Sequence, residues 1–357
     1  MILHTVVMNN KIAIFSDLHL GVHQNSTYWL DQSVNWVKWF VEDLQKKKIK
    51  TIIFCGDFFH YRDEVSLLTL NYAQQILEML KEFEIYMIAG NHDCYYKDTS
   101  EVNSLSLFKG WNNIKVFDKY FIEKREHYFN KKVISFCPWG TKLCDIEKSD
   151  VVFGHFELQN FKMNAHKICD DGENPALLSE KAPLIITGHF HLRDEKIIGN
   201  SMIVYIGNPF QMDFGDVHQR KGYYTLDTMT LEYEFIENSL TPKHIIMYLS
   251  RLIKLKEIET TFNSILPGNI IKLIIDKNIS SDHLDTLVSK MTSYRPTDFQ
   301  VDYDINYSKI KVKGDNDIDL SGVDINQAII EFVEMLDINN KKEVVDYTIS
   351  LYNKAKL

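Results

Sequence analysis

The chain has 357 residues, 45% of them hydrophobic and 25% charged, values that fit a folded chain and exclude a disordered or fibrous one. That length exceeds what one core ordinarily supports and points to two or three domains. Forty Lys and Arg against 49 Asp and Glu give a formal net charge of -9, so the surface as a whole does not attract polyanions, and any contact with nucleic acid must be local or shared with a partner. Cys55, Cys94, Cys137, Cys144 and Cys169 show neither the Cys-x-x-Cys spacing of a zinc site nor a disulfide framework, which fits a reducing cytoplasm. No basic and then apolar leader opens the sequence, and no apolar run reaches the roughly 18 to 20 residues that span a bilayer. Secretion and membrane spanning are therefore not expected.

The first two thirds of the chain repeat one pattern, in which a short β-rich apolar run stops at a Gly, Asp or His cluster and a helical or loop segment follows. The runs are KIAIFSD, TIIFCGD, IYMIAGNHD, VVFGH, PLIITGHFH and IVYIGNP. Between the first two, Val34, Val37, Phe40, Val41 and Leu44 recur at helical spacing, which predicts a helix over 33–48. Between the second and third, Leu67, Leu70, Ala73, Ile76, Leu77 and Leu80 predict another. Strands alternating with helices give an α/β fold class whose sheet strands are buried on both faces. In such sheets a ligand site sits at the strand ends, where the polar clusters lie.

After about residue 241 the Gly and His clusters stop while the patterning continues. IIKLIIDKN reads as a strand, SSDHLDTLVSKMTSY as a helix opened by a Ser cap, and DFQVDYDIN as a strand again. These predict a small separate α/β domain over 241–313, after a first domain over 1–240. The polar, Gly-flanked stretch GDNDIDLSG places a linker at 314–323. In the final segment, 324–357, Ile325, Ile329, Val333 and Leu336 share one helical face. After a break at DINN, a second helix carries Val344, Val345, Ile349 and Leu351.

The chemistry lies in five clusters at successive strand ends: Asp17-Leu-His19, Gly56-Asp57-Phe-Phe-His60, Gly90-Asn91-His92-Asp93, Gly154-His155 and Gly188-His189-Phe-His191. Every residue type in them is a potential ligand for a divalent metal. Residues two apart on a strand share a side, so Asp17 with His19, and His189 with His191, could converge on a common centre. Each cluster alone is a weak signal, whereas their conjunction and order point to one shared metal site.

In that order the clusters resemble the signature of the calcineurin-like metallophosphoesterase superfamily, D-x-H, G-D, G-N-H-[DE], a lone His and G-H-x-H. Within it the chain resembles the nuclease subunit of SbcC–SbcD-type recombination complexes, phage versions included. Two features carry the narrower likeness. The second cluster reads Gly-Asp-Phe-Phe-His where phosphoprotein phosphatases have Asp-Arg-Gly, and the third ends in Asp93 rather than Glu. The likeness spans roughly residues 10 to 235 and rests on layout beyond them. It implies a β-sandwich flanked by helices, with a small α/β capping domain and C-terminal helices.

By the same likeness Asp17, His19 and His191 hold one metal ion, Asn91, His155 and His189 hold a second, and Asp57 bridges them. The two oxygens of a carboxylate can span ions about 3.5 to 4 Å apart, as in two-metal phosphoesterases. Carboxylate, amide and imidazole together suit manganese, while iron, zinc and magnesium also accept such donors. The likeness favours manganese. It further implies that His92 protonates or stabilises the leaving 3′-oxygen, that Asp93 orients the His92 ring, and that His60 is an accessory histidine near the scissile phosphate. Two divalent ions against two carboxylates and a hydroxide leave about one positive charge, a match to one phosphodiester anion.

The implied function is a two-metal-dependent DNA exonuclease, with endonuclease activity as a further option, in DNA repair, recombination and replication. The implied partners are double-stranded DNA ends, a second copy of the chain, and an SbcC-like, Rad-type coiled-coil ATPase gripped by the C-terminal segment. A phosphoprotein phosphatase or small-molecule phosphodiesterase is disfavoured by the missing Asp-Arg-Gly and the extra C-terminal domain and helices. A non-catalytic DNA-end-binding scaffold is disfavoured by the intact ligands and His92. Arg62, Arg220 and Lys221 are candidate phosphate contacts, and Gly207-Asn208-Pro209 is either a backbone donor to phosphate or an ordinary turn. The run Lys46, Lys47, Lys48 and Lys50 reads as a solvated helix end, and Trp29, Trp36 and Trp39 read as core or helix-face residues.

Overall fold

Alternation along the first strand sets the layering. In β1 (Lys11–Phe15), Ile12 and Ile14 enter one apolar cluster while Ala13 and Phe15 enter another, and all four are buried. A strand with two apolar faces must be covered on both sides. The computed structural model describes residues 10–124, 129–163, 167–304, 325–334 and 341–355. The chain divides into two compact units, Met1–Asp304 and Ile305–Leu357.

In the first unit, β1, β2 (Thr51–Phe54), β3 (Glu84–Ile88) and β4 (Ile114–Phe117) lie side by side and parallel. The chain then builds a second sheet from β5 (Phe121–Glu123), β6 (Ile134–Cys137), β7 (Val151–His155), β8 (Leu184–Gly188), β9 (Asp194–Ile198) and β10 (Ser201–Tyr205), ordered β5-β6-β7-β8-β10-β9. Its edge strands β5 and β9 run antiparallel to their neighbours. The chain returns to the first sheet through β11 (Gly222–Asp227) and β12 (Tyr233–Glu237), giving the order β12-β11-β1-β2-β3-β4. Ile12, Ile14, Ile53, Tyr86 and Phe117 of one sheet meet Phe136, Phe153 and Ile186 of the other in a shared interior. There the Phe117 and Phe136 rings stack 4.3 Å apart. The fold is the expected α/β one, with the two sheets face to face as a sandwich.

Helices cover the outer face of the first sheet. The Thr27–Lys47 helix starts before residue 33, because Trp29 and Leu30 are also buried and extend the stripe of Val34, Val37, Phe40 and Leu44. It stops at Lys48, whose left-handed backbone turns the last N–H back onto Leu44 and Gln45 carbonyls. The Leu67–Met79 helix is capped by Ser66, whose side chain accepts the Thr69 N–H at 3.1 Å. Beyond residue 241 a third sheet pairs β13 (His244–Tyr248), β14 (Ile270–Ile275) and β15 (Asp298–Tyr303) in parallel. Helices Ile258–Ile265 and Ser281–Ser293 pack on it around Phe262, Leu273 and Met291. Ser280 sits at the cap position of the second of these, although its side chain makes no cap hydrogen bond.

The second unit contains the helices Ile325–Glu334 and Lys341–Ala355, which pack against each other. The linker expected at 314–323, the break at DINN and Leu336 lie outside the described residues. Among the described residues, no helix is long and apolar enough to cross a membrane.

Candidate active site

The parallel strands deliver the polar clusters to one place, and backbone hydrogen bonds lock the turns together there. Asp17 donates its N–H to the Gly56 carbonyl at 2.9 Å, and His19 donates to the Asp57 carbonyl at 3.1 Å. From the other sheet, the His189 N–H reaches the Asp17 carboxylate at 3.2 Å. The His155 ring, closing β7, meets the Cys55 carbonyl at 2.7 Å. These turns are sharp: Asp17, His19, Asp57 and His189 have φ of 55°, 47°, 61° and 91°, a left-handed conformation that is strained for residues with a Cβ. Gly188 shows how close the sheets approach, since a Cβ there would lie 2.0 Å from Ser16 Oγ and 2.5 Å from the Cys55 carbonyl oxygen.

Two sets of donor atoms converge on either side of Asp57. On one side are Asp17, His19 and His191, with His19 Nε2 and His191 Nε2 facing each other at 3.0 Å. On the other, Asn91 Oδ1 lies 2.9 Å from both His155 Nε2 and His189 Nδ1. Asp57 Oδ2 sits between the sets, 3.6 Å from His19 Nε2 and 3.3 Å from His155 Nε2. Atoms bound at right angles to one ion at about 2.1 Å lie about 3.0 Å apart, and the observed separations have that size. The ring orientation fits as well. His155 Nδ1 donates to the Cys55 carbonyl, which in the neutral ring leaves the Nε2 lone pair aimed at the cluster. So many converging lone pairs repel unless a cation or protons lie among them, and this donor set fits divalent metal.

The electrostatics point the same way. Burial alone would raise the Asp57 carboxyl, but the adjoining His155 and His19 imidazoles hold it well below the usual carboxylate range. The same Asp57 charge overcomes burial at His155 and carries that ring up to about 9. Burial pushes His19 down, and burial together with His155 pushes His189 down to about 3. Asp57 is thus a buried anion that gathers positive charge around it.

Asp93 is a correction to the sequence reading, because its carboxylate does not hold the His92 ring. It accepts the N–H groups of Asp57, Phe58, Phe59 and Gly90 at 2.9 to 3.1 Å, and so ties the second strand-end loop to the third. Burial and the Asp57 charge push its carboxyl up to about 7, against the pull of these donors. The His92 ring is held instead by the His60 carbonyl, 2.6 Å from Nδ1, while the His92 N–H donates to Asp57 Oδ1 at 2.8 Å. The His60 and His92 rings lie 5.5 Å apart, and each packs against His19. Burial and its histidine neighbours lower His60 to about 4.

The comparisons with known proteins give the family. The sequence matches the calcineurin-like phosphoesterase family over residues 10–193, more than half of the chain. The chain is a calcineurin-like phosphoesterase. It is 30% identical over 246 residues to Exonuclease subunit 1 of Enterobacteria phage T4, spanning 65% of this chain and 68% of that protein. Among solved structures, an archaeal phosphodiesterase matches 64% of this chain and 99% of its own at 16% identity, with a TM-score of 0.37. GAP50 of Plasmodium matches 76% of this chain and 98% of its own at 11% identity, with a TM-score of 0.38.

Other candidate residues of this calcineurin-like phosphoesterase lie outside the donor cluster. Trp29 and Trp36 are core residues, and Trp39 packs partly buried against the same cluster. Lys47 pairs with Asp43, and Arg220 with Glu237 at 2.6 Å. Lys221 is buried with its ammonium on three protein oxygens, which leaves it no donor for the phosphate contact considered for it, and Asn208 is buried beside it. Burial pushes the Cys55 and Cys94 thiols up, Cys94 to about 12, so neither offers a thiolate at neutral pH. Sequence reasoning missed Trp139, whose ring lies 5.1 Å from His189 and whose indole N–H donates to the Lys97 carbonyl at 2.6 Å. It stands in the loop after β6, a strand that the sequence pattern did not reveal.

Replacing Asp93 with Asn should disturb the donor cluster without removing any of the converging donor atoms. The amide NH2 would face N–H donors, leaving about two of them unpaired at about 1–3 kcal/mol each. Urea denaturation should show a loss of that order, and calorimetric titration should show weakened Mn²⁺ binding. Wild-type metal affinity in Asp93→Asn would contradict the clamping role.

Proposed function

We propose that this phosphoesterase is a two-metal DNA nuclease that uses manganese and hydrolyses phosphodiester bonds at duplex ends as the catalytic subunit of an SbcCD-like complex. The observation that carries the reading is Asp57, one carboxylate set between two donor groups, with His92 beside the donors and tied into the site through its backbone. The exonuclease-subunit relative supports the choice of nucleic acid over a phosphoprotein.

In this reading Asp17, His19 and His191 hold one ion, Asn91, His155 and His189 hold the other, and Asp57 joins them. When bound, the ions supply Lewis-acid polarisation of the phosphate and lower the pKa of water. The chain's own residues do the rest. His92 donates its Nδ1–H to the His60 carbonyl, so that only the doubly protonated ring, the imidazolium, would give a proton from Nε2 to the departing 3′-oxygen. His60 stands beside it with a depressed pKa, a neutral partner at the scissile phosphate. Asp93 fixes the loops that carry Asp57 and His92. Free, mostly buried cysteines fit a reducing cytoplasm.

Manganese-dependent release of nucleotides from linear duplex DNA, set against turnover of an aryl phosphate monoester, tests the substrate class. Duplex should be strongly preferred, and His92→Gln should lower nuclease turnover by about 10²- to 10⁴-fold while Mn²⁺ occupancy stays near normal. Preference for the monoester would defeat the nuclease reading. Loss of metal in His92→Gln would make that residue a ligand instead.

The partner of the second unit is proposed to be a coiled-coil ATPase, with a second copy of the chain completing the assembly. Its helices carry exposed aromatics, Phe332 and Tyr347, and short helices are marginal in water without a surface to pack on. Deleting everything after Gly322 should leave Mn²⁺ binding and basal nuclease activity intact and abolish co-purification with that ATPase. A truncated chain that still co-purifies, or that loses its metals, would contradict a detachable partner-binding segment.

A further inference from the structure

Behind the His191 turn lies a buried ammonium group to which the reaction assigns no task. Lys221, just before β11, is 4% exposed. Its Nζ donates to the His191 carbonyl at 2.7 Å, to Asp216 Oδ1 at 2.5 Å and to the Asn208 side-chain oxygen. Three N–H donors meet three oxygens, so the group is filled. Its partners are satisfied too. Asp216 Oδ2 accepts the Met212 N–H at 2.9 Å and an Asn208 amide N–H at 3.2 Å, and Asn208 Nδ2 also donates to the Phe210 carbonyl at 2.8 Å.

A buried ion pair contributes little net stability compared with apolar side chains of the same volume, so burial of this pair calls for another role. Of the oxygens around Lys221, only the His191 carbonyl comes from outside the 208–216 segment. The Gly207 backbone also lies close to that carbonyl. Gly207 adopts φ of 70°, and a Cβ there would lie 2.6 Å from the His191 oxygen. The His191 peptide therefore lies close to the Gly207 turn and accepts the Lys221 ammonium through its carbonyl, while its ring meets His19 at 3.0 Å.

We propose that Lys221 is a positioning residue for the metal centre: held by Asp216 and Asn208, it fixes the His191 peptide so that the imidazole presents Nε2 to the divalent-cation site shared with Asp17 and His19. The proposal rests on His191 being a ligand. Hydrogen-bonding groups behind a ligand typically change metal affinity by about 10- to 100-fold, and the clamp touches one donor set only. Its removal should weaken one of the two cation sites and spare the other.

Mn²⁺ titration of the full chain, followed by electron paramagnetic resonance, tests this without reference to activity. Lys221→Met should weaken one Mn²⁺ site by about 10- to 100-fold and leave the second unchanged. The double variant Asp216→Asn/Lys221→Met removes the orphaned carboxylate along with the ammonium and should show the same selective loss with native near-ultraviolet circular dichroism. If Lys221→Met fails to fold, the double variant decides. Two Mn²⁺ sites of wild-type strength in either folded variant, equal loss at both sites, or failure of both variants to fold would overturn the proposal. His191→Ala separates the two claims. If it keeps both sites, the ligand assignment fails and the clamp with it; if it loses one site that the lysine variants retain, only the clamp fails.

Discussion

A carboxylate buried between two protein layers is costly unless positive charge surrounds it, and the site of this protein is organised around meeting that requirement at Asp57. One oxygen accepts the His92 N–H, and the other lies between His19 and His155. These partners come from β1, β3 and β7 and their turns, so the charge balance of one side chain draws on both sheets of the sandwich. The surrounding imidazoles stabilise it only in part. Their lone pairs point inward with it, which makes the cluster a receptor for divalent cations rather than a finished ion pair.

Holding those groups in place requires backbone that the chain would not adopt by itself. Left-handed turns at Asp17, His19, Asp57 and His189 cost of order 1–3 kcal/mol each. The sandwich interior, with stacked rings such as Phe117 on Phe136, keeps the strand ends rigid enough to sustain that strain. Further clamps secure the turns themselves: Asp93 gathers the N–H groups of the second and third loops, and Lys221 grips the carbonyl of His191. Neither side chain lies in the donor triads, yet each hydrogen-bonds the backbone of a turn that carries donor residues.

The motifs that carry the converging donor residues were legible in the sequence because each closes a run of apolar β residues, and the run and its polar end are contiguous in the chain. For the same reason the strands bearing motifs were found, while β4, β5, β6, β9, β11, β12 and β13 were not: none ends in a cluster, and β4, β5, β9, β12 and β13 lie at sheet edges. Missing them hid the sandwich from pattern alone, and only family resemblance suggested it. Trp139 was lost with β6. Asp93 was read as a partner of its sequence neighbour His92, whereas a buried carboxylate takes whichever N–H groups the fold presents, here from the preceding loop. Lys221 read as a candidate phosphate contact because sequence does not show that Asp216 and Asn208 will be buried beside it.

The nuclease reading and the role of both clamps depend on two cations being held on either side of Asp57. Anomalous difference maps from crystals grown with Mn²⁺, recorded at the manganese edge, measure that directly. The account predicts two peaks sharing the Asp57 carboxylate, one contacted by Asp17, His19 and His191 and the other by Asn91, His155 and His189. A single peak, or peaks that leave Asp57 out of contact with metal, would contradict it.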